Sequence, residues 1–363
     1  MLKEYFADKS VLVTGHTGFK GSWLIAWLNQ LGAKVTGVAL DPPTTPSHFM
    51  AADMGDGFKD YRVDIRDREA LSCVIQEAQP DFVFHLAAQA LVKSSYEDPV
   101  STYETNVLGT LHVLEALREL DRSCAAVIIT SDKCYDNVEW VWGYRETDAM
   151  GGPDPYSASK GAAELVIRSH IKSFFPEGSK VRIASARAGN VIGGGDWAKD
   201  RIIPDCVKAW SVNESVQLRY PNSTRPWQHV LEPLSGYLNL AAVLATNPDL
   251  HGEPFNFGPQ AQQNQSVAEL VEEMSRHWDQ VSWNVLEQPD NTHHESGLLK
   301  LNCDKALHYL QWHAVMGFTD TVEMTAAWYR DFYQDPESIT VTTREQISRY
   351  MDIAREQGLP WAL

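Results

Sequence analysis

A chain of 363 residues, 44% hydrophobic and 22% charged, has the mix of a soluble globular enzyme and suffices for one large domain or two fused ones. Its 48 acidic against 31 basic residues give a formal net charge of -17 with no Lys/Arg-rich run to offset it, which argues against partners such as nucleic acid or an anionic membrane surface. No apolar run approaches the ~18 residues of a membrane helix; with no apolar leader before Val11 and five scattered cysteines (Cys73, Cys124, Cys134, Cys206, Cys303) lacking a CxxC pair, a reduced, cytoplasmic setting is expected.

The first half alternates short β-branched or aromatic runs with helical stretches. Strands are predicted at Val11–Thr14, Val35–Leu40, Tyr61–Ile65, Phe82–Leu86, Val127–Thr130 and Arg182–Ser185. Trp23–Leu31, Arg68–Ala78, Val100–Leu120 and Ala158–His170 carry apolar positions at helical spacing. Strands joined by helix-length crossovers make an α/β fold with a Rossmann-type, doubly wound parallel sheet. Runs such as VLVT and AVIIT are apolar on both faces, as strands covered on each side by helices should be.

After about residue 187 the rhythm breaks into Gly193-Gly194-Gly195, Pro204, a basic-aromatic stretch over Arg219–His229, and mixed helices. Ser266 and Glu269 have capping-box spacing ahead of an apolar-periodic run, so a helix starts there. Asp290–Ser296 reads as a polar loop. Residues 1–187, with returning segments near 226–255 and 314–330, are expected to form the domain built on this sheet. Residues 188–225, 256–313 and 331–363 are expected to form a smaller mixed domain that binds the substrate.

VLVT runs into Gly15-His16-Thr17-Gly18-Phe19-Lys20-Gly21 and then a helix. Glycines there permit a tight turn and close approach of backbone to a pyrophosphate, and the helix start offers free N–H groups to it. GxxGxxG alone is a weak pattern; its place between the first strand and first helix makes Gly15, Thr17, Gly18, Phe19 and Gly21 cofactor candidates. Asp41, closing the second strand, can accept from both adenosine ribose hydroxyls and would repel a 2′-phosphate, which favours NAD over NADP. Asp64, with Ile65, ends the third strand where an adenine amino group could be received.

Tyr156 and Lys160 form a YxxxK pair, one turn apart on one helix face. An ammonium there would lower the phenol's pKa, so that tyrosinate could take a hydroxyl proton near neutral pH. GxxGxxG, His85-Leu86-Ala87-Ala88 after the fourth strand, Asn106, Ser131 after the fifth strand and YxxxK together resemble the extended short-chain dehydrogenase/reductase family over nearly the whole chain. The resemblance implies that Leu86, Ala87 and Ala88 line an NAD cofactor, that Asn106 shapes the helix near the site, and that Ser131 hydrogen-bonds the reacting hydroxyl.

Within that family Thr130-Ser131-Asp132-Lys133-Cys134-Tyr135 is the discriminating stretch. Hexose epimerases usually carry small, non-ionisable residues after the Ser/Thr, whereas sugar-nucleotide 4,6-dehydratases carry an acid, because expelling the C6 hydroxyl as water needs a proton donor. Asp132 matches that acid. Lys133 stands where dTDP-glucose dehydratases have glutamate; DKCY and RPWQHVLEP (Arg225–Pro233) resemble the branch that acts on CDP-glucose. The resemblance implies oxidation at C4 with Tyr156 as base, loss of water across C5 and C6 with Asp132 as acid, and reduction at C6. Lys133 could serve as the C5 base if burial or a neighbouring cation lowered its pKa. The resemblance also implies Asn190, with Arg201, Arg219, Arg225 and His229 as candidates, for the sugar diphosphate, CDP-glucose as substrate, and a homodimer or dimer of dimers through Val100–Leu120 and Ala158–His170. A sugar-nucleotide 4-epimerase and a non-catalytic NAD-binding regulator stay open as alternatives; Asp132 argues against the first and the intact Ser131, Tyr156 and Lys160 against the second. His293-His294-Glu295 invites a metal reading, but adjacent histidines rarely converge on one ion, and no metal is expected.

Overall fold

The computed structural model describes residues 1–54, 58–279, 281–286 and 298–363. Asp290–Ser296 and the His293-His294-Glu295 run lie outside the described residues. The sheet contains β1 (Ser10–Thr14), β2 (Lys34–Ala39), β3 (Lys59–Arg62), β4 (Phe82–His85), β5 (Cys124–Ile129), β6 (Val181–Ala188) and a seventh strand, Pro254–Phe257. Their order is Pro254–Phe257, β6, β5, β4, β1, β2, β3, every neighbouring pair parallel. The order reverses between β1 and β4, so a crevice opens at their carboxyl ends, which is where ligands of such sheets bind.

Alternation along the strands divides two cores. Val11, Val13, Phe82, Phe84 and Val127 pack with Trp23, Leu24 and Trp27 of the helix Phe19–Gln30 and with the helix Leu231–Thr246. Leu12, Val83, Ala126 and Ile128 pack on the other face with the helices Arg68–Ala78, Gly109–Arg118 and Pro155–Phe174. Six tryptophans (Trp23, Trp27, Trp210, Trp312, Trp328 and Trp361) are among the largest fully buried side chains, which accounts for much of the tryptophan content by packing.

Several expected boundaries move, among them these three. The third strand is Lys59–Arg62, not Tyr61–Ile65, because its register is fixed by pairing Thr36 to Lys59 and Ala39 to Arg62 at the sheet edge. The second strand ends at Ala39, leaving Asp41 beyond it. The long helix expected over Val100–Leu120 is a helix Pro99–Tyr103, a π turn Glu104–Leu108 and a helix Gly109–Arg118. Gly109 lets that helix lie on Ile65, whose Cδ1 would come within 2.5 Å of an added Cβ.

Short strands organise the second half: Val191–Ile192 with Gln228–His229, Thr224–Arg225 with Gln265–Ser266, and Val216–Leu218 with Trp283–Val285. The capping box is formed as expected, Ser266 and Glu269 satisfying each other's backbone N–H at the start of Val267–Ser275. Gly194 belongs to packing, since a Cβ there would lie 2.0 Å from the Trp328 ring. The C-terminal helix Ile339–Glu356, expected with the smaller lobe, carries Tyr350 against Trp27 of Phe19–Gln30, with ring centroids 5.7 Å apart. Among the described residues no helix is long and apolar enough to cross a membrane, and the five cysteines are unpaired.

Candidate active site

The turn after β1 is as tight as its glycines suggest. Gly15 has φ +74°, and a Cβ on it would lie 2.7 Å from the Ala87 nitrogen; one on Gly21 would lie 2.1 Å from the Gly15 oxygen. A Cβ on Gly18 would meet only the Gly15 oxygen, at 3.3 Å, so that side of the turn is open. Gly18 is the N-cap of Phe19–Gln30 and no side chain caps the helix, leaving its first N–H donors for a phosphate. Thr17 is turned inward, its hydroxyl donating to the Leu40 carbonyl (2.9 Å). These features fit a dinucleotide pyrophosphate.

At the adenosine end, the Asp41 carboxylate is almost wholly exposed and lies 3.8 Å from Arg62. No arginine directly follows Asp41 in sequence; β3 supplies Arg62 in space, a residue that local reading had no means to find. Asp64 does not stand free. Its carboxylate accepts from the Arg66 backbone (2.9 Å) and is gripped by the Arg66 guanidinium at 2.6 Å. Hydrogen bonding to Arg66 holds it below the usual carboxylate range. Ile65 is buried under Gly109.

A chain of hydrogen bonds joins the floor of the crevice. The Ala87 N–H donates to the Thr14 hydroxyl (3.2 Å), which donates to His85 Nδ1 (2.6 Å); His85 Nε2 donates to Thr110 (3.1 Å), which donates to the Asn106 carbonyl (2.8 Å). Burial, then Lys160, hold His85 down at about 3, so the imidazole is neutral; with Nε2 the donor to Thr110, Nδ1 is left as acceptor for Thr14. Asn106, in the π turn, accepts from the Gln89 N–H (2.8 Å) and donates to the Gln89 carbonyl (3.1 Å) and to Ser159 (2.9 Å). It thereby locks the loop after Leu86, Ala87 and Ala88 to the helix Pro155–Phe174.

Ser131, Asp132 and Lys133 leave the carboxyl end of β5 in one tight turn, Asp132–Cys134 being 3-10 helix. The Ser131 hydroxyl donates to Asp132 (2.9 Å) and accepts from the Lys133 N–H (3.2 Å). Asp132 is buried, and burial raises its carboxyl above the usual range against the pull of Lys133, the Ser131 hydrogen bond and Lys20. Tyr156 and Lys160 are also buried. Burial raises Tyr156 to about 12, opposed by the Ser131 hydroxyl and, more weakly, by Arg201. The depression of the phenol expected from Lys160 is not seen in the protein alone: burial dominates, the groups opposing it are Ser131 and Arg201, and the Lys160 Nζ lies 6.0 Å from the ring centroid. Lys160 is itself lowered by burial to about 8.

Behind these groups lies a network that the sequence reading missed. Glu164, one turn beyond Lys160, pairs with buried Arg187 of β6 at 2.8 Å and accepts from Thr130 (2.5 Å) and Ser185 (3.0 Å). Arg187 also donates to the Tyr135 hydroxyl (2.7 Å), which donates to Asn256 (2.8 Å). The pair ties the Ser131–Tyr135 turn to the Tyr156 helix. YxxxKxxxE was the available signal for Glu164; Arg187 had none.

The diphosphate candidates separate. Arg201 stands by Tyr156 and is paired to Asp196 at 2.6 Å. Asn190 follows Gly189, whose added Cβ would lie 3.1 Å from Asp132 Oδ2. Arg219 pairs with Asp200 at 3.2 Å on the surface, and half-buried Arg225 donates to the Thr224 carbonyl (2.8 Å). His229 is corrected: its ring is wholly buried, edge-on to Trp23, and Nδ1 accepts from the Leu231 N–H (3.3 Å), so it packs inside rather than closing the cleft. Among the described residues no cluster could hold a metal ion.

The sequence is 49% identical to the CDP-glucose 4,6-dehydratase of Salmonella typhimurium, covering 96% of this chain and 98% of that protein. In fold it is similar to a UDP-glucose 4-epimerase of Stenotrophomonas maltophila solved with NAD (TM-score 0.77, 22% identity, 90% of this chain and 99% of that one). It is also similar to a dTDP-glucose 4,6-dehydratase of Streptomyces venezuelae solved with NAD (TM-score 0.72, 21% identity, 88% and 97%). The sequence model of one family, GDP-mannose 4,6 dehydratase, spans residues 12–325 and so takes in the glycine turn, the Ser131-Asp132-Lys133 turn and the YxxxK helix alike. The chain belongs to the GDP-mannose 4,6 dehydratase family.

Proposed function

We propose that the protein converts CDP-glucose to CDP-4-keto-6-deoxyglucose and water, as a hydro-lyase that uses NAD without net consumption. The carrying observation is the buried Asp132 held beside Ser131 at the mouth of the crevice, facing Tyr156. The 49% identity to a CDP-glucose 4,6-dehydratase supports the choice of cytidine.

The turn Gly15–Gly21 would hold the pyrophosphate, Asp41 the adenosine ribose, Asp64 and Ile65 the adenine side, and Leu86 to Ala88 the wall of the pocket. Bound NAD supplies oxidation at C4 and the matching reduction at C6. Tyr156 takes the C4 hydroxyl proton, its tyrosinate stabilised by Arg201 and Lys160, while Ser131 orients that hydroxyl. The new C4 ketone acidifies the C5 proton, which we assign to Lys133. Asp132 gives its proton to the departing C6 hydroxyl; a carboxyl whose pKa burial raises retains that proton closer to neutrality. Asn190, Arg201, Arg219 and Arg225 are proposed to engage the sugar diphosphate.

On the same reading the protein is cytoplasmic, acts as a homodimer or dimer of dimers, and makes a precursor of dideoxyhexoses for lipopolysaccharide. We also propose that residues 1–187, with the segments near 226–255 and 314–330, bind NAD and that the smaller lobe binds the nucleotide sugar, with Ile339–Glu356, packed on Phe19–Gln30, going with the NAD-binding part. The test incubates purified protein and NAD with CDP-, dTDP-, UDP- and GDP-hexoses and follows products by mass spectrometry. Loss of one water from CDP-glucose, with no net NADH, is expected. An isomer of unchanged mass would mean an epimerase, water loss from another nucleotide sugar would overturn cytidine, and no turnover would favour a regulator.

A further inference from the structure

Arg62, the last residue of β3, is held by three neighbours at the adenosine end of the crevice. One arm of its guanidinium donates to the Asp60 carboxylate (2.7 Å) and the other to the Leu40 carbonyl (2.9 Å). Its Cζ lies over the Phe49 ring, 5.2 Å from the centroid. The same Leu40 carbonyl accepts from Thr17 of the glycine turn (2.9 Å), so the arginine, the end of β2 and the turn share one anchor. A guanidinium has more N–H donors than these two bonds use. The next acceptor in their reach is Asp41, with an oxygen 3.8 Å from Nη1. That distance is too long for a hydrogen bond. The Asp41 side chain is 93% exposed and Arg62 36%, so the space around the carboxylate is open to a ligand.

We propose that Arg62 is a coenzyme-specificity residue, the anchor of a 2′-phosphate site that Asp41 occupies and so closes, leaving one carboxylate to decide between NAD and NADP. The inference rests on the reading that Asp41 holds the adenosine ribose. A phosphate on the 2′ oxygen of that ribose would bring its own oxygens to where the carboxylate now stands, and a planar guanidinium takes two phosphate oxygens at once. With Asp41 in place, the phosphate meets a negative charge and a cation already neutralised by two carboxylates. Once Asp41 is neutral, Asp60, Leu40 and Phe49 still hold the guanidinium, so little side-chain freedom is lost when a phosphate docks on it.

The test measures dissociation constants of NAD and NADP by calorimetry on nucleotide-free protein. The variants are Asp41→Asn, Asp41→Ala, Arg62→Met, and Asp41→Asn combined with Arg62→Met or with Arg62→Lys. Asp41→Asn should shift the affinity ratio toward NADP by about 10- to 100-fold, the worth of hydrogen bonds to charged groups. Arg62→Met added to it should return most of that shift, while Arg62→Lys should keep part, because lysine retains the charge without the fork. Arg62→Met alone should widen the preference for NAD. The gain in NADP affinity should shrink at high salt, since the site is exposed. An equal gain with Met at position 62 would overturn the proposal, because relief of repulsion would then suffice. No gain in Asp41→Asn would overturn it too, the guanidinium being committed to Asp60. Asp41→Ala that binds NAD as tightly as wild type would instead sink the placement of the ribose, and the inference with it.

Discussion

Lys160 sits between two influences. Burial lowers its ammonium to about 8, while Cys134 and Glu164 hold it up. Glu164→Gln removes one of those supports, so Lys160 should lose its proton at a lower pH. The alkaline limb of kcat/KM that Lys160 governs should then move down. The same change leaves Arg187 without its buried partner and should cost about 3–5 kcal/mol of stability; the profile is therefore taken at a temperature where circular dichroism reports a folded protein. An unmoved limb in folded Glu164→Gln would mean that the carboxylate does not act on Lys160. At this scale the residues legible from sequence were those whose chemistry is declared by a neighbour at fixed spacing, such as Tyr156 with Lys160 or Asp132 with Ser131. Arg187 meets Glu164 on the helix Pro155–Phe174, and Arg62, besides Asp60 in its own strand, reaches Asp41 past the end of β2; nothing local to Arg187 or Asp41 announces these contacts. His229 shows the converse: a histidine in a basic-aromatic stretch reads as a ligand, yet its ring is spent on Trp23.

Among the elements, the central strands were legible because burial on both faces leaves a continuous apolar run, as in β1 and β5. Edge strand β3, Lys-Asp-Tyr-Arg, carries little such signal and takes its register from β2. The π turn Glu104–Leu108 is likewise a product of distant contacts, with Asn106 bound to Gln89 and Ser159 and Gly109 seated on Ile65. The paired strands of two or three residues in the second half are too short for any period to register. Where an element's boundary is set by its own side chains, as at Ser266, sequence and structure coincide. That boundary can be tested by itself. Ser266→Ala removes the acceptor for the Glu269 N–H at the start of Val267–Ser275, and should lower the unfolding free energy by about 1 kcal/mol in urea titration. Activity should be unchanged, because the cap is exposed and no candidate catalytic group touches it; an unaltered midpoint would mean that solvent serves the helix end as well as serine does.

For the whole molecule, the net charge of -17 makes self-association an uphill encounter unless apolar surface compensates. Such surface lies on the neighbouring helices proposed to build the dimer. Val100 is 65% exposed, Leu165 50%, Leu108 46% and Tyr103 40%, a larger apolar display than helices facing water need. Opposite charges also sit along this face: Glu115 pairs with Arg68 at 3.3 Å and with Arg118 at 3.4 Å, and Arg118 lies over the Phe174 ring. A second copy docking here would bury the apolar positions while leaving those pairs at a polar rim, the usual anatomy of a homodimer interface. Leu165→Glu places a charge amid that surface and should shift the molecular mass measured by light scattering from dimer to monomer. Salt should strengthen the wild-type dimer by screening the shared negative charge, and should not rescue the variant, whose defect is desolvation of the new carboxylate. A variant that stays dimeric at low salt would exclude this face and move the search to another exposed apolar pair such as Val141 and Trp142.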